Sequence, residues 1–161
     1  MKTLKYISAA LLLILFSSCL KMGLDDIAYF DEADITAFNF EYRWMGDNNG
    51  NDRLFVQKLN TAYTIDTIAY TISCDITVPD ASDTGDEPTD DFPTEIRDMV
   101  SLEELVGYAD LSTAAKIAPI GSAPNLGSMQ NFSGNDMQYK VTAADDKTIK
   151  EWTLIITSFT K

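Results

Sequence analysis

The feature that most constrains the fold is the run TIAYTISCDITV (67–78), in which apolar and polar side chains alternate. Successive side chains of a β-strand point to opposite faces, so this run predicts a strand with one buried and one mostly solvated face. A thiol on the buried face behaves as an inert small hydrophobe. The residues predicted to lie on the buried face are Ile68, Tyr70, Ile72, Cys74, Ile76 and Val78.

A predicted pair of strands lies closer to the N-terminus. Segment 45–53, MGDNNGNDR, is rich in turn-forming residues, and segment 54–59, LFVQKL, suits a strand that follows the turn. Segment 34–44, DITAFNFEYRW, alternates like a strand before the turn, and its aromatic face consists of Phe38, Phe40, Tyr42 and Trp44.

The C-terminal part favours another hairpin. Segments 137–144, MQYKVTAA, and 151–159, EWTLIITSF, read as strands joined by a turn at DDK (145–147). In segment 101–112, SLEELVGYADLS, Ser101 and Glu104 have capping-box spacing, which predicts one or two helical turns. The side chains predicted to face inward from the two strands are Tyr139, Val141, Ala143, Trp152, Leu154 and Ile156.

The N-terminal residues 1–18 have the organisation of a secretory signal peptide. Lys2 and Lys5 supply a positive start, and an apolar run follows from residue 6 to residue 16. Such a run is too short to span a bilayer in the mature protein, so it does not belong to the fold. The remaining length suits one domain with a core of its own.

The end of this segment, Phe16-Ser17-Ser18-Cys19, resembles the lipobox of bacterial lipoproteins. The resemblance implies that residues 1–18 are removed, that Cys19 is acylated and that the protein is lipid-anchored in the outer membrane, with its domain at the cell surface. Several acyl chains hold a protein on a membrane where one does not. Residues 19–33 are then the lipidated cysteine and a tether, and residues 34–161 the domain. An ordinary signal peptide followed by an unmodified cysteine remains the alternative.

The charge of the chain restricts its partners. It carries 12 basic and 25 acidic residues. Loss of the two signal-peptide lysines leaves ten basic residues and a net charge of about −15. Such a surface repels nucleic acid and anionic lipid headgroups, so no nucleic acid is expected as a partner, whereas neutral glycans, cations and basic proteins remain open.

The residue types argue against catalysis. The chain has no histidine, which removes the commonest general base and most zinc and copper sites. No glycine-rich loop that could cradle a phosphate is present. The sequence therefore predicts a protein that is not an enzyme and has no cofactor.

Two segments have oxygen ligands of the kind that calcium prefers. The first is the turn segment with Asp47, Asn49, Asn51 and Asp52, and the second is the acidic, proline-containing loop 80–92. The first lacks the glycine register and the glutamate of an EF-hand, and we interpret it as a polar hairpin tip. The second reads as a solvated loop. No metal site is therefore predicted, and calcium binding by the loop stays open.

The C-terminal hairpin, YKVTAADDKTIKEWTLIIT (139–157), resembles the closing hairpin of cadherin-like, immunoglobulin-type β-sandwich domains in Bacteroidetes surface lipoproteins, many of unknown function. Segments 34–40 and 66–79 are similar to the opening and middle strands of that family. Asp146 stands where the family has a glycine. The resemblance implies a single immunoglobulin-like antiparallel β-sandwich at the cell surface, often beside proteins of polysaccharide uptake, with no catalytic residue.

The aromatic face suggests a function in binding. Aromatic rings stack on the apolar faces of sugars, and polar groups close by can bind sugar hydroxyls. The predicted ligand-binding residues are Tyr42, Trp44, Asp47, Asn48 and Asn49. The chain is thus predicted to be an accessory module that binds a glycan or a partner protein. Two alternatives remain: these aromatic residues fill the core, or the protein is a structural or adhesive module that pairs through an edge strand.

Overall fold

The fold was obtained as a computed structural model, and the residues that it describes are 30–48, 50–81 and 92–161. They form nine strands and one short helix. The elements are β1 (Ile35–Asn48), β2 (Asn51–Lys58), β3 (Asn60–Asp66), β4 (Thr71–Thr77), α1 (Thr94–Met99), β5 (Leu105–Leu111), β6 (Lys116–Pro119), β7 (Met129–Gln130), β8 (Met137–Thr142) and β9 (Ile149–Thr160).

The strands form two sheets that pack as a β-sandwich, which confirms the predicted fold class. One sheet has the order β2-β1-β5-β7 and the other the order β3-β4-β9-β8-β6. The sheets are not wholly antiparallel, because β4 and β9 run parallel. Parallel neighbours need a long crossover. The chain between β4 and β9 supplies it, since it contributes β5 and β7 to the other sheet.

The core lies between the sheets and is rich in aromatic residues. Trp152 and Tyr139 are 0% and 1% exposed. The Trp152 indole Nε1 donates a hydrogen bond to the Ala33 carbonyl oxygen (3.0 Å), and the Tyr139 hydroxyl donates one to the Pro124 carbonyl oxygen (3.0 Å). Both polar tips therefore have a partner, which removes the cost of burying them. The other large buried side chains include Phe38, Phe40, Phe92 and Phe132.

The start of β1 is fastened to the sandwich by side chains. Besides the Trp152 bond to Ala33, the Ser112 hydroxyl accepts a hydrogen bond from the Asp34 amide (3.0 Å). The Lys150 ammonium forms an ion pair with the Asp34 carboxylate (2.6 Å). The N-terminal segment thus joins the domain beside the end of β5 and the start of β9, and β1 runs from there to the opposite end of the sandwich.

The predicted helical turns in 101–112 are wrong. The Glu104 amide donates to the Ser101 carbonyl oxygen (3.2 Å) in a single turn, and the chain then enters β5. Strand β5 lies between β1 and β7, and Leu105 and Val106 are fully buried. Pairing on both sides and burial outweigh the local helix signal. Sequence reasoning missed α1, which has only six residues and no side-chain cap.

The run 67–78 was predicted to begin as a strand too early. Residues 67–70 form a turn, Tyr70 has a positive φ of 52°, and Ile68 is 92% exposed instead of buried. The Asp66 carboxylate accepts hydrogen bonds from the Ile68 and Ala69 amides (2.8 and 2.9 Å), which stabilise this turn and lower the pKa of Asp66. The rest of the predicted stripe, Ile72, Cys74, Ile76 and Val78, is buried.

The C-terminal hairpin is confirmed. Strands β8 and β9 pair antiparallel, and the Asp145 carboxylate accepts hydrogen bonds from the amides of Lys147 and Thr148 (both 2.8 Å). These two bonds are the main cause of the lowered pKa of Asp145. Asp146 has a φ of 55°, so it adopts the left-handed conformation that a glycine would provide. Aspartate is among the residues that tolerate this region best.

Candidate functional site

The β1–β2 hairpin extends the sheet at the end opposite the N-terminal attachment. It pairs Trp44 with Phe55, Met45 with Leu54 and, near the tip, Asp47 with Asp52. The Asp47 carboxylate accepts a hydrogen bond from the Gly50 amide (2.6 Å), and Gly50 has a φ of 81°. The turn therefore requires a glycine, and Asp47 holds it in place.

Three rings on the inner face of this hairpin form an aromatic ladder, which consists of Tyr42, Trp44 and Phe55. The Tyr42 and Trp44 centroids are 6.2 Å apart with an interplanar angle of 19°, and those of Trp44 and Phe55 are 5.4 Å apart with an angle of 13°. The Arg53 guanidinium carbon lies 5.5 Å from the Phe55 centroid, within cation–π range. Phe92 packs at a tilt against Trp44 (5.9 Å).

The structure separates the predicted ligand-binding residues. Tyr42 is 3% exposed, and burial, together with Glu104, raises the pKa of its hydroxyl, so its ring is a core contact and not a ligand platform. Trp44 is partly exposed. Asp47 lies on the opposite face of β1 from Trp44, because side chains alternate along a strand. Asn48 is the last residue of β1, and Asn49 lies outside the described residues.

The outer face of the same hairpin carries a feature that the sequence analysis did not single out. Met45 and Leu54 are 63% and 49% exposed and lie directly opposite each other. The Arg43 guanidinium forms an ion pair with the Glu41 carboxylate on this face. An apolar pair beside charged groups therefore faces solvent on one side of the hairpin, and the aromatic ladder lies on the other.

A second region is a cleft of about 250 Å³. We call it the polar cleft; it is lined by residues 120–124, Asn131 and residues 134–138. Its lining comes from the β6–β7 and β7–β8 connections and the start of β8. No sequence pattern indicated this cleft, because these connections have no periodicity and their polar residues are typical of ordinary loops.

The described residues offer neither a cluster of metal ligands nor a reactive thiol. No group of three or more histidine, cysteine, aspartate or glutamate residues that could hold a metal ion occurs among residues 30–48, 50–81 and 92–161. Most of the acidic loop 80–92 lies outside these ranges. Cys74 is fully buried, and burial, with a smaller effect of Asp75, raises the pKa of its thiol to about 12, so the thiolate is scarce at neutral pH.

The N-terminal residues 1–29, with the predicted lipidation site Cys19, also lie outside the described part. Within the described part, no helix has both the length and the apolar character needed to cross a membrane.

Comparison with known proteins places this sandwich in a family. The family model described as DUF5018-related matches residues 35–155, from the first residue of β1 to the middle of β9. The chain belongs to the DUF5018-related family. A search of the curated proteins gives no match.

Among solved structures, this DUF5018-related chain is similar to a protein from Bacteroides fragilis NCTC 9343 that is inferred to be secreted. The two are 29% identical, the TM-score is 0.70, and the match covers 81% of this chain and 98% of the other. The shared part therefore includes nearly the whole sandwich of the Bacteroides protein.

Proposed function

We propose that this protein is a non-catalytic, lipid-anchored module of the outer membrane that binds glycans at the cell surface as an accessory part of polysaccharide uptake. The lipobox-like sequence around Cys19 supports the anchor. The similarity to a Bacteroides protein inferred to be secreted supports export. The acidic composition, which disfavours anionic partners, fits a neutral ligand.

The observation that carries the glycan proposal is the exposed part of the aromatic ladder. Trp44 remains partly open to solvent while it stacks on Phe55, and Arg53 lies beside the same ring. Aromatic surface next to a few polar or charged groups is the usual composition of a small-ligand site. The ladder also lies at the end of β1 that points away from the N-terminal attachment, where a tethered domain meets ligands first.

The test is a binding assay of the chain from residue 20 onward against a panel of plant and host glycans, with and without calcium. Trp44→Ala should weaken binding about fivefold or more, because a stacking contact of about 1 kcal/mol or more is lost. Trp44→Phe, which keeps a ring, should retain most of the affinity. Tyr63→Ala removes an aromatic ring that is 41% exposed on β3 and serves as the matched control.

Equal binding by Trp44→Ala and the unchanged chain would remove the ladder from the site. Absence of binding to every glycan on the panel would refute the proposed ligand class.

The anchor has its own test. Cys19→Ala should leave the protein unprocessed or released from the membrane, because the acylated sulfur is gone. Fractionation of cells that express either form, followed by immunoblotting, measures this. Membrane retention of a correctly processed Cys19→Ala protein would contradict the lipoprotein proposal.

A second candidate function is strand pairing with a partner protein, and the continuity of β2 and β3 favours it. Each is one of the two edge strands of its sheet, and they follow one another along the chain almost without interruption. Between them, Leu59 is buried and its amide donates to the Phe40 carbonyl oxygen (2.9 Å). No described strand pairs with the outer side of either one, so an extended partner segment could add there.

Cross-linking on intact cells tests this alternative. Ala62→Lys and Thr64→Lys place charges on β3, which natural edge strands use to block pairing. Loss of a cross-linked neighbour in these variants, with glycan binding absent throughout, would favour the strand-pairing function.

A further inference from the structure

The polar cleft has fixed walls. The Ile120 amide donates to the Gln138 carbonyl oxygen (2.8 Å), and the Ala123 amide donates to the Ile120 carbonyl oxygen (3.2 Å). On the far side of the 120–124 segment, the buried Tyr139 hydroxyl donates to the Pro124 carbonyl oxygen (3.0 Å). The segment is therefore held to β8 at both ends, and the cleft exists before any ligand arrives, as is usual for small-molecule sites.

The lining combines an apolar part with polar side chains. Ile120 is half-buried and contributes apolar surface, whereas Pro124 and Met137 line the cleft but are buried, with Met137 only 5% exposed. Hydroxyl and amide groups each donate and accept hydrogen bonds, so they complement the hydroxyl groups of a ligand, which also do both. The polar side chains of the lining are Ser122, Asn131, Asn135, Asp136 and Gln138.

Other ligand classes fit this lining less well. Among the described residues that line the cleft, Asp136 is the one with a charge and none is a lysine or arginine, so an anion would be repelled. A wholly apolar ligand would leave the amide groups without hydrogen-bond partners. The volume of about 250 Å³ lies below the roughly 300–1,000 Å³ of sites for drug-sized ligands. One small, neutral and hydroxyl-rich ring suits both the size and the chemistry.

Two details of the backbone also direct attention to this cleft. Asp136 has a φ of 53°, in the left-handed region where residues other than glycine are uncommon. Residues in such conformations cluster at functional sites. The Asn131 side-chain oxygen accepts a hydrogen bond from the Ser133 amide (2.8 Å), which fixes the orientation of the Asn131 side chain at the cleft.

We infer that the polar cleft binds a single neutral sugar ring, as a site separate from the aromatic ladder. The amide and carboxylate groups of Asn131 and Asp136 contact its hydroxyls, and Ile120 faces the apolar side of the ring. This inference deepens the proposed function and rests on its glycan-binding part, but it places the contact on the opposite edge of the molecule from β2 and β3.

The experiment is an NMR titration of the isotope-labelled chain from residue 20 onward. The probes are glucose, galactose, mannose, xylose and N-acetylglucosamine, added to about 20 mM, because ligands of one ring bind with dissociation constants on the order of millimolar. We expect saturable shifts of the amides of residues 120–124 and 131–138 with at least one sugar.

Asp136→Gly removes the carboxylate and tolerates the left-handed backbone, and Asn131→Asp keeps the oxygen that binds the Ser133 amide but removes the amide donors. Each should lower the affinity about tenfold or more, because a hydrogen bond to the ligand is lost. Asp146→Gly is the matched control, since it makes the same change at a φ of 55° in the β8–β9 turn. It should bind sugar as the unchanged chain does.

The outcomes separate the two proposals. Shifts confined to the hairpin, residues 42–55, would overturn the cleft site and leave the glycan-binding function standing. Equal affinity of Asp136→Gly, Asn131→Asp and Asp146→Gly would also overturn it. Absence of any saturable shift with all five sugars would overturn the cleft site, while the glycan panel independently decides the proposed function.

Discussion

Strand β1 passes through two environments, and the comparison shows what residue alternation does and does not determine. In its enclosed half (35–41), Phe38 and Phe40 are 0% exposed, and the Phe40 ring makes an edge contact with Phe132 (5.2 Å). In its hairpin half (42–48), Trp44 is partly exposed and Met45 is 63% exposed. After a register shift between Ile35 and Ala37, the alternation is the same from Phe38 onward in both halves. The alternation determines on which face of the sheet a side chain lies. The buried fraction of that side chain depends on how much of the other sheet covers the face.

The largest expected difference between the two halves is in the loss of unfolding free energy when a side chain is replaced by alanine. Phe40→Ala should lower the free energy of unfolding by about 3–5 kcal/mol, because it leaves a cavity between the sheets. Met45→Ala in the hairpin half should change it by less than about 0.5 kcal/mol, because most of the side chain is already in water. Urea unfolding followed by tryptophan fluorescence measures both. Similar losses of unfolding free energy for the two variants would show that the two halves are packed alike.

Two glycines sharpen the comparison, because a methyl group at either one meets a phenylalanine ring. A Cβ at Gly107 would lie 2.7 Å from Phe132, and one at Gly46 would lie 2.9 Å from Phe55. Phe132 is fully buried and Phe55 only partly, so only the second ring has room to move. Gly107→Ala should cost about 1–3 kcal/mol and Gly46→Ala less than about 1 kcal/mol. Thermal unfolding measures both variants. A larger destabilisation by Gly46→Ala than by Gly107→Ala would contradict this prediction.

The smallest expected effect concerns ionisation in the core that surrounds the enclosed half. Cys74 belongs to the same buried cluster as Phe38 and Phe40, and its pKa is raised to about 12. The unfolded chain therefore loses the thiol proton first as the pH rises, so stability should fall between pH 9 and pH 12, by less than about 1 kcal/mol at pH 9.

Buried tyrosines with raised pKa values, Tyr42 and Tyr139, add to the same trend. The contribution of the thiol is therefore obtained by subtraction. The loss of unfolding free energy between pH 7 and pH 9, measured by urea unfolding, should be larger for the unchanged chain than for Cys74→Ala. Identical pH dependence of the two proteins would contradict a buried, neutral thiol.

The sequence was sufficient to predict elements whose local pattern and tertiary surroundings agree. Of the predicted inward-facing side chains of the C-terminal hairpin, Ile156 is only partly buried, and the others, including Tyr139 and Trp152, are buried as predicted. The aromatic face of β1 is also correct through Tyr42. At these positions a period-two pattern meets a second sheet, so a local rule is enough.

Other features depend on contacts that local patterns do not record. A helix-start signal immediately precedes β5, but the position of this strand between β1 and β7 decides its conformation. Ile68 continues the alternation of β4, yet the Asp66 side chain closes a turn there and leaves Ile68 in solvent. The polar cleft forms between connections that are separated along the chain, so no single segment could reveal it.

The fastening of Ala33 and Asp34 has a mechanical consequence. If the lipid anchor holds one end and a glycan on a passing polymer pulls at the other, the force enters at Ala33 and runs along β1, whose 14 residues extend for roughly 45 Å. Hydrogen bonds to antiparallel neighbours lie across a strand, so this force shears the bonds to β2 and β5 together instead of opening them one at a time. Traction on the N-terminal segment thus loads β1 along its length.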